Sequence, residues 1–572
     1  MQFMKWLLLM FLAIFAVDKS FGKPAKPESA TTSGIVRNPV IPGFAPDPSI
    51  VRVGQDFYIV NSSFEYFPAL PIYKSRDLVN WRLIGHALAD PKGSGLQTVE
   101  SSGGVQAATI RYHQGIFYIV TTSVVDGKLT SFIVTAKNPE GPWSAPKVIS
   151  DAAGIDPSLF FDEDGRVWYT ANWIPPDPQF EGQAEIWLQE LDLKHIALKG
   201  PRYFIGRGCC QGVWAEGPHI YKRQGQYYLL IAEGGTSYEH AVSISVADNI
   251  TGPYKNNPRN PVLTHRNLSY DHPITGIGHA DLVELEDGRW YAVALGWRLL
   301  EGRHGILGRE TFLLPVTWES EREWWKEKKM TFPVFSPDSG KVESEYPLPF
   351  PESPQIQTAG FRDDFNSTVL NPEWTFRRAP IKPIYSLSES TGRLRLYLQP
   401  GAFSERTQYS FVGIRQRHFQ FEASTAMTFS PNHNEEAGLV IVQKDSAAYT
   451  LTLASSDNAQ YVIRVSKMTE TGATVLTEHA IPETKVFMKV KGNSLVYQFY
   501  YSLDGKSWLP AGPVIDGSAF SPAILRGFNY TGVFIGLYGT SNGQPTQNYA
   551  DFDWFDYNHR PVNEISGLPH VK

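Results

Sequence analysis

Cysteine is nearly absent from this sequence. The 572 residues contain two cysteines, the neighbours Cys209 and Cys210, which excludes a disulfide scaffold and a zinc site built on cysteine. Adjacent Cα atoms lie about 3.8 Å apart, below the usual disulfide range of roughly 4.4–6.8 Å, so a bond between these two residues would be strained. We therefore expect two partly buried thiols.

Charge is also scarce. Charged residues make up 19% of the chain and the net charge is −6, so the composition indicates no nucleic-acid partner and no anionic-membrane partner. The hydrophobic fraction of 42% excludes a largely disordered chain. Because the length is about three to four times that of a typical domain, at least two domains are expected.

Long apolar runs are missing after the N-terminus. The run Trp6–Val17 has 12 residues, which is too short to span a bilayer but typical of a signal peptide. A small-x-small step ending at Gly22 follows it. The sequence thus predicts a signal peptide over residues 1–22, a flexible leader over 23–35, and a secreted, extracellular protein without a membrane partner.

Aromatic residues and turn formers are abundant instead. Phe, Trp and Tyr make up 13% of the chain, which also has 48 Gly and 41 Pro. Aromatic residues favour strands, and Gly and Pro favour turns, so this composition predicts an all-β fold of short strands.

One pattern recurs five times in the first 300 residues: a short strand, a turn with Gly and an aromatic-rich strand. Its copies are DPSIVRVGQDFYIV, AATIRYHQGIFYIV, DPSLFFDEDGRVWYTA, EGPHIYKRQGQYYLLI and HADLVELEDGRWYAVA. The spacings of their starts, 60, 49, 60 and 63 residues, leave room for about four strands per unit. This predicts a five-bladed β-propeller over residues 36–330, with five unrelated hairpins in a sandwich as the alternative.

The composition changes after the last repeat. Residues 331–357 are rich in Pro and without helical periodicity, which predicts a linker. Alternating strands such as AGLVIVQKDSAAYTLTLA and LVYQFYYSLDGKSW follow. They predict a second all-β domain over residues 358–560, a β-sandwich of the jelly-roll, concanavalin-like kind.

Three of the five repeat starts carry a carboxylate: Asp47, Asp156 and Glu216. The innermost strands of a propeller line its central channel, so we expect these groups to converge on one mouth. Like charges at close range push pKa values apart, as acid–base chemistry requires. Trp214 and Ala215 give Glu216 an apolar setting that favours its protonated form. Two carboxylates, one acid and one base, are the machinery of a glycosidase.

These segments resemble glycoside hydrolase family 43, in particular its two-domain β-xylosidase and α-L-arabinofuranosidase branch. The resemblance rests on GFAPDPSI, SSFEYFPALPIYKSRDLVNW, GIDPSLFFDEDG, AEGPHIY, GIGHADLV and LGRETFLLPVTWE. It extends through the Pro-rich junction to a C-terminal sandwich that ends in ADFDWFDY. Members of this family hydrolyse the glycosidic bond with inversion of configuration at the anomeric carbon.

The resemblance implies roles for individual residues. Asp47 matches the general base and Glu216 the general acid. Asp156 matches the third carboxylate, which raises the pKa of the acid and holds it in place. Phe64 matches an aromatic residue of the sugar pocket, and Arg309 an arginine that reaches the sugar hydroxyls.

Three further matches are less direct. His279 matches a histidine in the channel, where some relatives bind a calcium ion or a water molecule, and a hydrogen-bonded structural histidine is the alternative. Phe528 falls roughly where relatives send an aromatic residue from the sandwich towards the active site. Gln106 stands where many xylosidases of this branch have Trp, which replaces a stacking surface by an amide. The family requires no cofactor.

The resemblance implies an exo-acting hydrolase that releases xylose or arabinofuranose from plant cell-wall oligosaccharides or polysaccharides. A non-catalytic sugar-binding propeller is one alternative, although its binding surface would repeat in every blade, whereas two starts here are Ala107 and His279. A family 43 hydrolase for another sugar, such as galactan, is a second. A retaining fructan hydrolase would carry WMNDPNG-like and RDP motifs, which this chain lacks.

Overall fold

The computed structural model describes residues 34–209, 212–319, 331–356, 360–401, 406, 409–469, 471–521 and 529–559. The expected signal peptide, most of the expected leader, Cys210 and Phe528 lie outside the described residues, whereas Cys209 is buried. Regular structure in the described ranges consists of β-strands and one 3₁₀ turn, Gly517–Phe520. No helix in this part of the chain is long and apolar enough to cross a membrane.

The N-terminal half is a five-bladed β-propeller. Each blade is an antiparallel sheet whose strands follow one another in chain order from the channel outwards. After β1 (Ile35–Arg37), blades 1 and 2 contain β2 (Ser49–Val53), β3 (Asp56–Val60), β4 (Tyr66–Phe67, paired elsewhere), β5 (Ala69–Ser75), β6 (Arg82–Leu88), β7 (Gly104–His113), β8 (Ile116–Val125), β9 (Lys128–Ala136) and β10 (Lys147–Val148).

Blades 3 to 5 repeat the arrangement, and blade 4 adds a fifth strand, β19. Their strands are β11 (Ser158–Phe161), β12 (Val167–Trp173), β13 (Glu185–Asp192), β14 (Ala197–Gly206), β15 (Glu216–Arg223), β16 (Gln226–Glu233), β17 (Ala241–Ala247), β18 (Lys255–Asn256), β19 (Leu263–Thr264), β20 (Ile274–Glu284), β21 (Trp290–Arg298), β22 (Arg309–Trp318) and β23 (Pro333–Phe335).

The glycine of each repeat forms the first hairpin turn of its blade. The five turn residues all have a left-handed backbone, with φ between +62° and +84°: Gly54, Gly115, Gly165, Gly225 and Gly288. Only glycine adopts this conformation without a steric cost, so the recurring glycine marks the recurring hairpin. The strands after the turns are buried almost throughout because neighbouring blades cover both faces of each sheet.

The segment expected as a linker, residues 331–357, contains two paired strands among its described residues. β23 pairs with β22 and completes blade 5, and β24 (Glu345–Pro347) pairs with β1 at the start of the chain. The Pro-rich composition hid these strands because edge strands tolerate proline. The propeller therefore continues past residue 330. Its last sheet is completed by a segment whose sequence is typical of a linker.

The C-terminal half is a β-sandwich of two antiparallel sheets. The first contains β25 (Gly360–Asp363), β27 (Tyr385–Ser386), β28 (Leu394–Tyr397), β30 (Gln420–Thr428), β35 (Lys485–Asn493), β36 (Val496–Ser502), β37 (Leu509–Asp516) and β39 (Tyr549–His559). The second contains β29 (Ser410–Arg415), β31 (Glu436–Lys444), β32 (Ala447–Ser455), β33 (Tyr461–Thr469), β34 (Gly472–Ala480) and β38 (Phe534–Thr540).

The two domains share a small sheet. β26 (Phe376–Arg377), from the start of the sandwich, pairs with β4 of the propeller. The guanidinium of Arg377 lies 3.1 Å from Glu65 and 2.9 Å from Asp445, and its side chain is fully buried. Tyr66 of β4 stacks on Phe534 of the sandwich with ring centroids 3.7 Å apart. Backbone pairing, buried charge and aromatic packing thus join the domains at one place, directly after Phe64.

Replacing Arg377 by Met is expected to destabilise the protein by about 3–5 kcal/mol, since it leaves Glu65 as a buried charge without its partner. Arg76→Met is the matched control, because the Arg76–Asp56 pair is at the surface with Arg76 74% exposed, and such pairs contribute about 0–1 kcal/mol. Denaturant unfolding of both variants measures the difference. Small losses of unfolding free energy of similar size in both variants would show that the buried Glu65–Arg377 pair contributes no more than the surface pair.

Candidate active site

The innermost strands of the blades begin around one channel mouth, and the backbone there is left-handed in every blade. The φ angles are 50° at Asp47, 28° at Ala107, 55° at Asp156, 57° at Gly217 and 46° at His279. A left-handed residue at the same position of each repeat interrupts the regular alternation of the strand there. Glu216 precedes the left-handed residue of blade 4 by one position.

A second ring of polar side chains forms the floor of the channel. Two residues further along each innermost strand, the side chains are buried and polar: Ser49, Thr109, Ser158, His219 and Asp281. Ser49 donates a hydrogen bond of 2.6 Å to Asp281, and Arg111 lies 2.9 Å from Asp281 and 3.0 Å from Nδ1 of His219. Because the floor satisfies its own charges, it leaves the upper ring available for a ligand.

Asp47 is the carboxylate with the most favourable partners. Its Oδ2 accepts a 2.6 Å hydrogen bond from Ser62, and its Oδ1 lies 3.0 Å from Nη1 of Arg309. Burial alone would raise the pKa of Asp47, but the positive charge of Arg309, with His279 and Ser62, outweighs burial and lowers that pKa below 3.8. Asp47 is therefore ionised at neutral pH.

Asp156 and Glu216 shift in the opposite direction. Burial and the neighbouring charge of Asp47 raise the pKa of Glu216 to about 7, although Arg309 works against the shift. Burial, together with the charges of Glu216 and Asp47, raises the pKa of Asp156 well above 3.8. The site thus holds one carboxyl group with a lowered pKa and two with raised pKa values, which is the division that acid–base catalysis needs.

His279 lies between two of the carboxylates. Its Nδ1 is 3.9 Å from Oδ1 of Asp47 and 3.9 Å from Oδ2 of Asp156, and burial lowers its pKa. A calcium ion takes six to eight oxygen ligands, but both oxygens of Asp47 already accept hydrogen bonds. In the described ranges, no group of three or more His, Cys, Asp or Glu side chains has the geometry of a metal site. These residues do not fit a calcium ion held by protein ligands.

Arg309 has side-chain hydrogen-bond donors that are available to a ligand in the pocket. It is buried and donates from Nη1 to Asp47 and to Thr236, at 3.0 and 3.1 Å. Its Nε and Nη2 are buried and make no hydrogen bond to the described residues. A buried donor without an acceptor costs free energy, so a ligand with hydroxyl oxygens would be bound where these two groups point.

Aromatic rings from both domains cover Arg309. Phe64 of the propeller and Tyr530 of the sandwich stack with ring centroids 5.4 Å apart, and the guanidinium lies 5.4 Å and 5.2 Å from their centres. Phe528, the expected aromatic contribution of the sandwich, lies outside the described residues. Tyr530, two positions later in RGFNYTG, is the described aromatic residue of the sandwich at the site.

Gln106 lies in β7, one residue before Ala107 of the channel ring, and is partly buried. Its backbone carbonyl accepts a hydrogen bond from the hydroxyl of Thr121. The expected change at this position, from a flat ring to an amide, therefore occurs next to the channel mouth.

Some residues of the site are not indicated by the sequence patterns. Ser62 donates to Asp47 and accepts from the N–H of Ala107 at 2.6 Å, which couples blades 1 and 2. Asn61 is buried and donates to the carbonyls of Ala45 and Pro46, just before Asp47. Both residues lie inside an ordinary apolar strand pattern, and the only available indication was that polar residues there need partners.

The chain matches two family models over most of its length. Residues 36–324 match "Glycosyl hydrolases family 43", and residues 362–558 match "Beta xylosidase C-terminal Concanavalin A-like domain". The chain belongs to glycosyl hydrolase family 43. The predicted propeller followed by a concanavalin-like sandwich is confirmed, as is the family resemblance.

Curated members of family 43 are similar along nearly the whole chain. A xylosidase/arabinosidase of Butyrivibrio fibrisolvens is 39% identical over 91% of this chain and 99% of its own length. A non-reducing-end α-L-arabinofuranosidase of Bacteroides ovatus is 41% identical over 91% of this chain and 94% of its own. Both domains are therefore shared with these enzymes.

Solved structures agree with the fold. A family 43 protein from a xyloglucan locus of Bacteroides ovatus has a TM-score of 0.83 at 38% identity and covers 92% of this chain and 100% of its own. A xylan β-1,4-xylosidase from Bacillus halodurans has a TM-score of 0.84 at 32% identity, with the same coverage.

Replacing Asp47 by Asn is expected to lower the pKa of Glu216 below its value of about 7, since the negative charge of Asp47 is one of the causes that raise it. An infrared titration of the carboxyl groups measures this shift, and Glu216→Gln identifies the band that belongs to Glu216. An unchanged pKa of Glu216 in the Asp47 variant would show that the charge of Asp47 does not raise the pKa of Glu216.

Proposed function

We propose that this family 43 protein is an exo-acting, inverting hydrolase that removes a terminal α-L-arabinofuranosyl or β-xylosyl residue from hemicellulose fragments. The observation that carries the proposal is the opposite pKa shift of Asp47 and Glu216 within one pocket. The names of the relatives, xylosidase/arabinosidase and α-L-arabinofuranosidase, support the sugar class.

Asp47 is the general base in this proposal. Its ionised carboxylate removes a proton from a water molecule, whose oxygen attacks the anomeric carbon from the side opposite to the leaving group. Arg309 and Ser62 keep Asp47 charged and fix its orientation. The base therefore remains active down to a pH close to its lowered pKa.

Glu216 is the general acid. Its proton passes to the glycosidic oxygen as the bond from that oxygen to the anomeric carbon breaks, so that the leaving sugar departs as a neutral alcohol. The pKa of about 7 keeps this carboxyl group protonated in slightly acidic solution. Activity is lost as the pH rises through that value, because the acid then has no proton to give. The charge of Asp47 helps to retain this proton, and Asp156, which accepts a hydrogen bond from the backbone of Gly217, holds the acid in place.

The pocket fits one sugar at the end of a chain. Arg309 offers two buried donors to the ring hydroxyls, and the stacked pair Phe64 and Tyr530 covers it. This closure by the sandwich favours release of a single terminal sugar over cleavage within a chain. A panel of nitrophenyl α-L-arabinofuranoside, β-xyloside and galactoside decides between the sugars, including the alternative of a galactan-type substrate.

Glu216→Ala is expected to slow hydrolysis of substrates with poor leaving groups, such as methyl or oligosaccharide glycosides, by about 10²–10⁴-fold. Activated aryl glycosides need little protonation and should be affected far less. Steady-state kcat/KM on both substrate types measures the difference.

Asp47→Ala is the matched control, because loss of the base should slow both substrate types alike and added azide should restore part of the rate. The anomer that is released first, followed by NMR, tests the mechanism independently. Retention of configuration would overturn the assignment of base and acid.

We also propose that the protein is exported and that cleavage near Gly22 releases a chain beginning near Lys23, since the run Trp6–Val17 has the length of a signal peptide. N-terminal sequencing of the protein recovered outside cells that express the full chain is expected to begin near Lys23. Recovery of a chain that still begins at Met1 would exclude cleavage.

A further inference from the structure

A large aromatic side chain is exposed next to the proposed acid. Trp214 precedes Glu216 by two residues and is 39% exposed, whereas Ala215 between them is buried. The mechanism above gives this tryptophan no role beyond the apolar surroundings of Glu216. The exposure of this indole beside a catalytic carboxylate is unusual, since tryptophan side chains are mostly buried.

The backbone of Trp214 is held in a left-handed conformation with φ of 56°, which is costly for a bulky residue. Two hydrogen bonds maintain it: the N–H of Trp214 donates to the carbonyl of Gly182 at 2.6 Å, and the N–H of Gly234 donates to the carbonyl of Val213 at 2.7 Å. Strained conformations persist where the surroundings over-determine them, and they cluster at functional sites.

Two glycines receive the indole ring. A Cβ atom at Gly182 would lie 2.9 Å from Cε2 of Trp214, and one at Gly235 would lie 3.5 Å from Cδ1. Any side chain at Gly182 would therefore collide with the ring or displace it. The loops from blades 3 and 4 thus fix the orientation of the indole while part of its surface faces solvent.

The same loops connect Trp214 to the sugar pocket. Gly235 is followed by Thr236, whose hydroxyl accepts a hydrogen bond from Arg309 at 3.1 Å. The loop that contains Gly182 also exposes two apolar side chains, Ile174 at 52% and Phe180 at 41%. Trp214 therefore lies at the edge of the pocket, where the mouth becomes apolar.

We propose that Trp214 is a specificity-determining residue whose indole forms a platform for the sugar ring on the leaving-group side of the scissile bond. This inference rests on the proposed function. Glu216 protonates the oxygen of the leaving group, so that group must lie within hydrogen-bond reach of Glu216, and the terminal sugar fills the pocket of Arg309. A pyranose of a hemicellulose backbone, such as xylose, presents C–H groups to an aromatic face while its hydroxyls remain in water.

The test compares substrates with and without a sugar in the leaving group. Trp214→Ala is expected to reduce kcat/KM on an oligosaccharide with a xylopyranose leaving group by roughly tenfold, the scale of one good aromatic contact. Hydrolysis of the corresponding methyl glycoside, whose leaving group also needs protonation by Glu216 but has no ring, should change less than about twofold. Trp214→Phe should restore most of the loss.

Phe204→Ala is the control, because Phe204 is 51% exposed on β14 and should affect neither substrate. Thermal unfolding of each variant shows whether it folds. Equal losses on the oligosaccharide and the methyl glycoside, or no loss on either, would overturn the platform. A wild-type enzyme that cleaves neither substrate would instead refute the proposed function.

Discussion

The active site depends on one backbone constraint, the left-handed residue at the start of each innermost strand. This conformation recurs at Asp47, Ala107, Asp156, Gly217 and His279, and it interrupts the regular alternation of each strand there. It costs free energy at every residue except glycine. Packing of the blades around the channel compensates for that cost, because the strands that follow are buried between neighbouring blades.

The position of one positive charge, that of Arg309, helps to separate the pKa values of the carboxyl groups. Arg309 contacts Asp47 directly and lowers the pKa of Asp47, whereas the pKa of Glu216 rises to about 7 under burial and repulsion from Asp47. Three carboxyl groups in one mouth would otherwise compete for protons. Because the arginine lies against only one of them, the same low-dielectric pocket contains an ionised carboxylate, Asp47, and a carboxyl group with a raised pKa, Glu216.

The second domain completes the site rather than merely accompanying it. The pairing of β26 with β4 and the buried Glu65–Arg377 contact fix the sandwich next to Phe64. Tyr530 is thereby brought against Phe64 and Arg309. The aromatic cover over Arg309, and with it the proposed preference for a chain end, follows from this contact between domains.

The sequence by itself determined the repeat, the fold class and the positions of the three carboxylates. Those features are local: a turn glycine such as Gly54 needs its φ whatever surrounds it. Asp47 and Asp156 lie at equivalent places in copies of one pattern, and Glu216 lies one position before the corresponding residue of its copy, Gly217. Spacing alone therefore predicted that they would meet.

Tertiary structure decided the contacts between segments that are distant in sequence. The hydrophobic pattern of a single strand does not indicate such contacts. Residues 333–335 and 345–347 form strands because β22 and β1 provide partners at the open edges. Ser62 and Tyr530 join the site through contacts with segments that are distant in sequence, and Trp214 keeps the position of its ring because Gly182 has no side chain. Such contacts depend on how blades and domains are placed against one another, and that placement follows from packing of the whole chain.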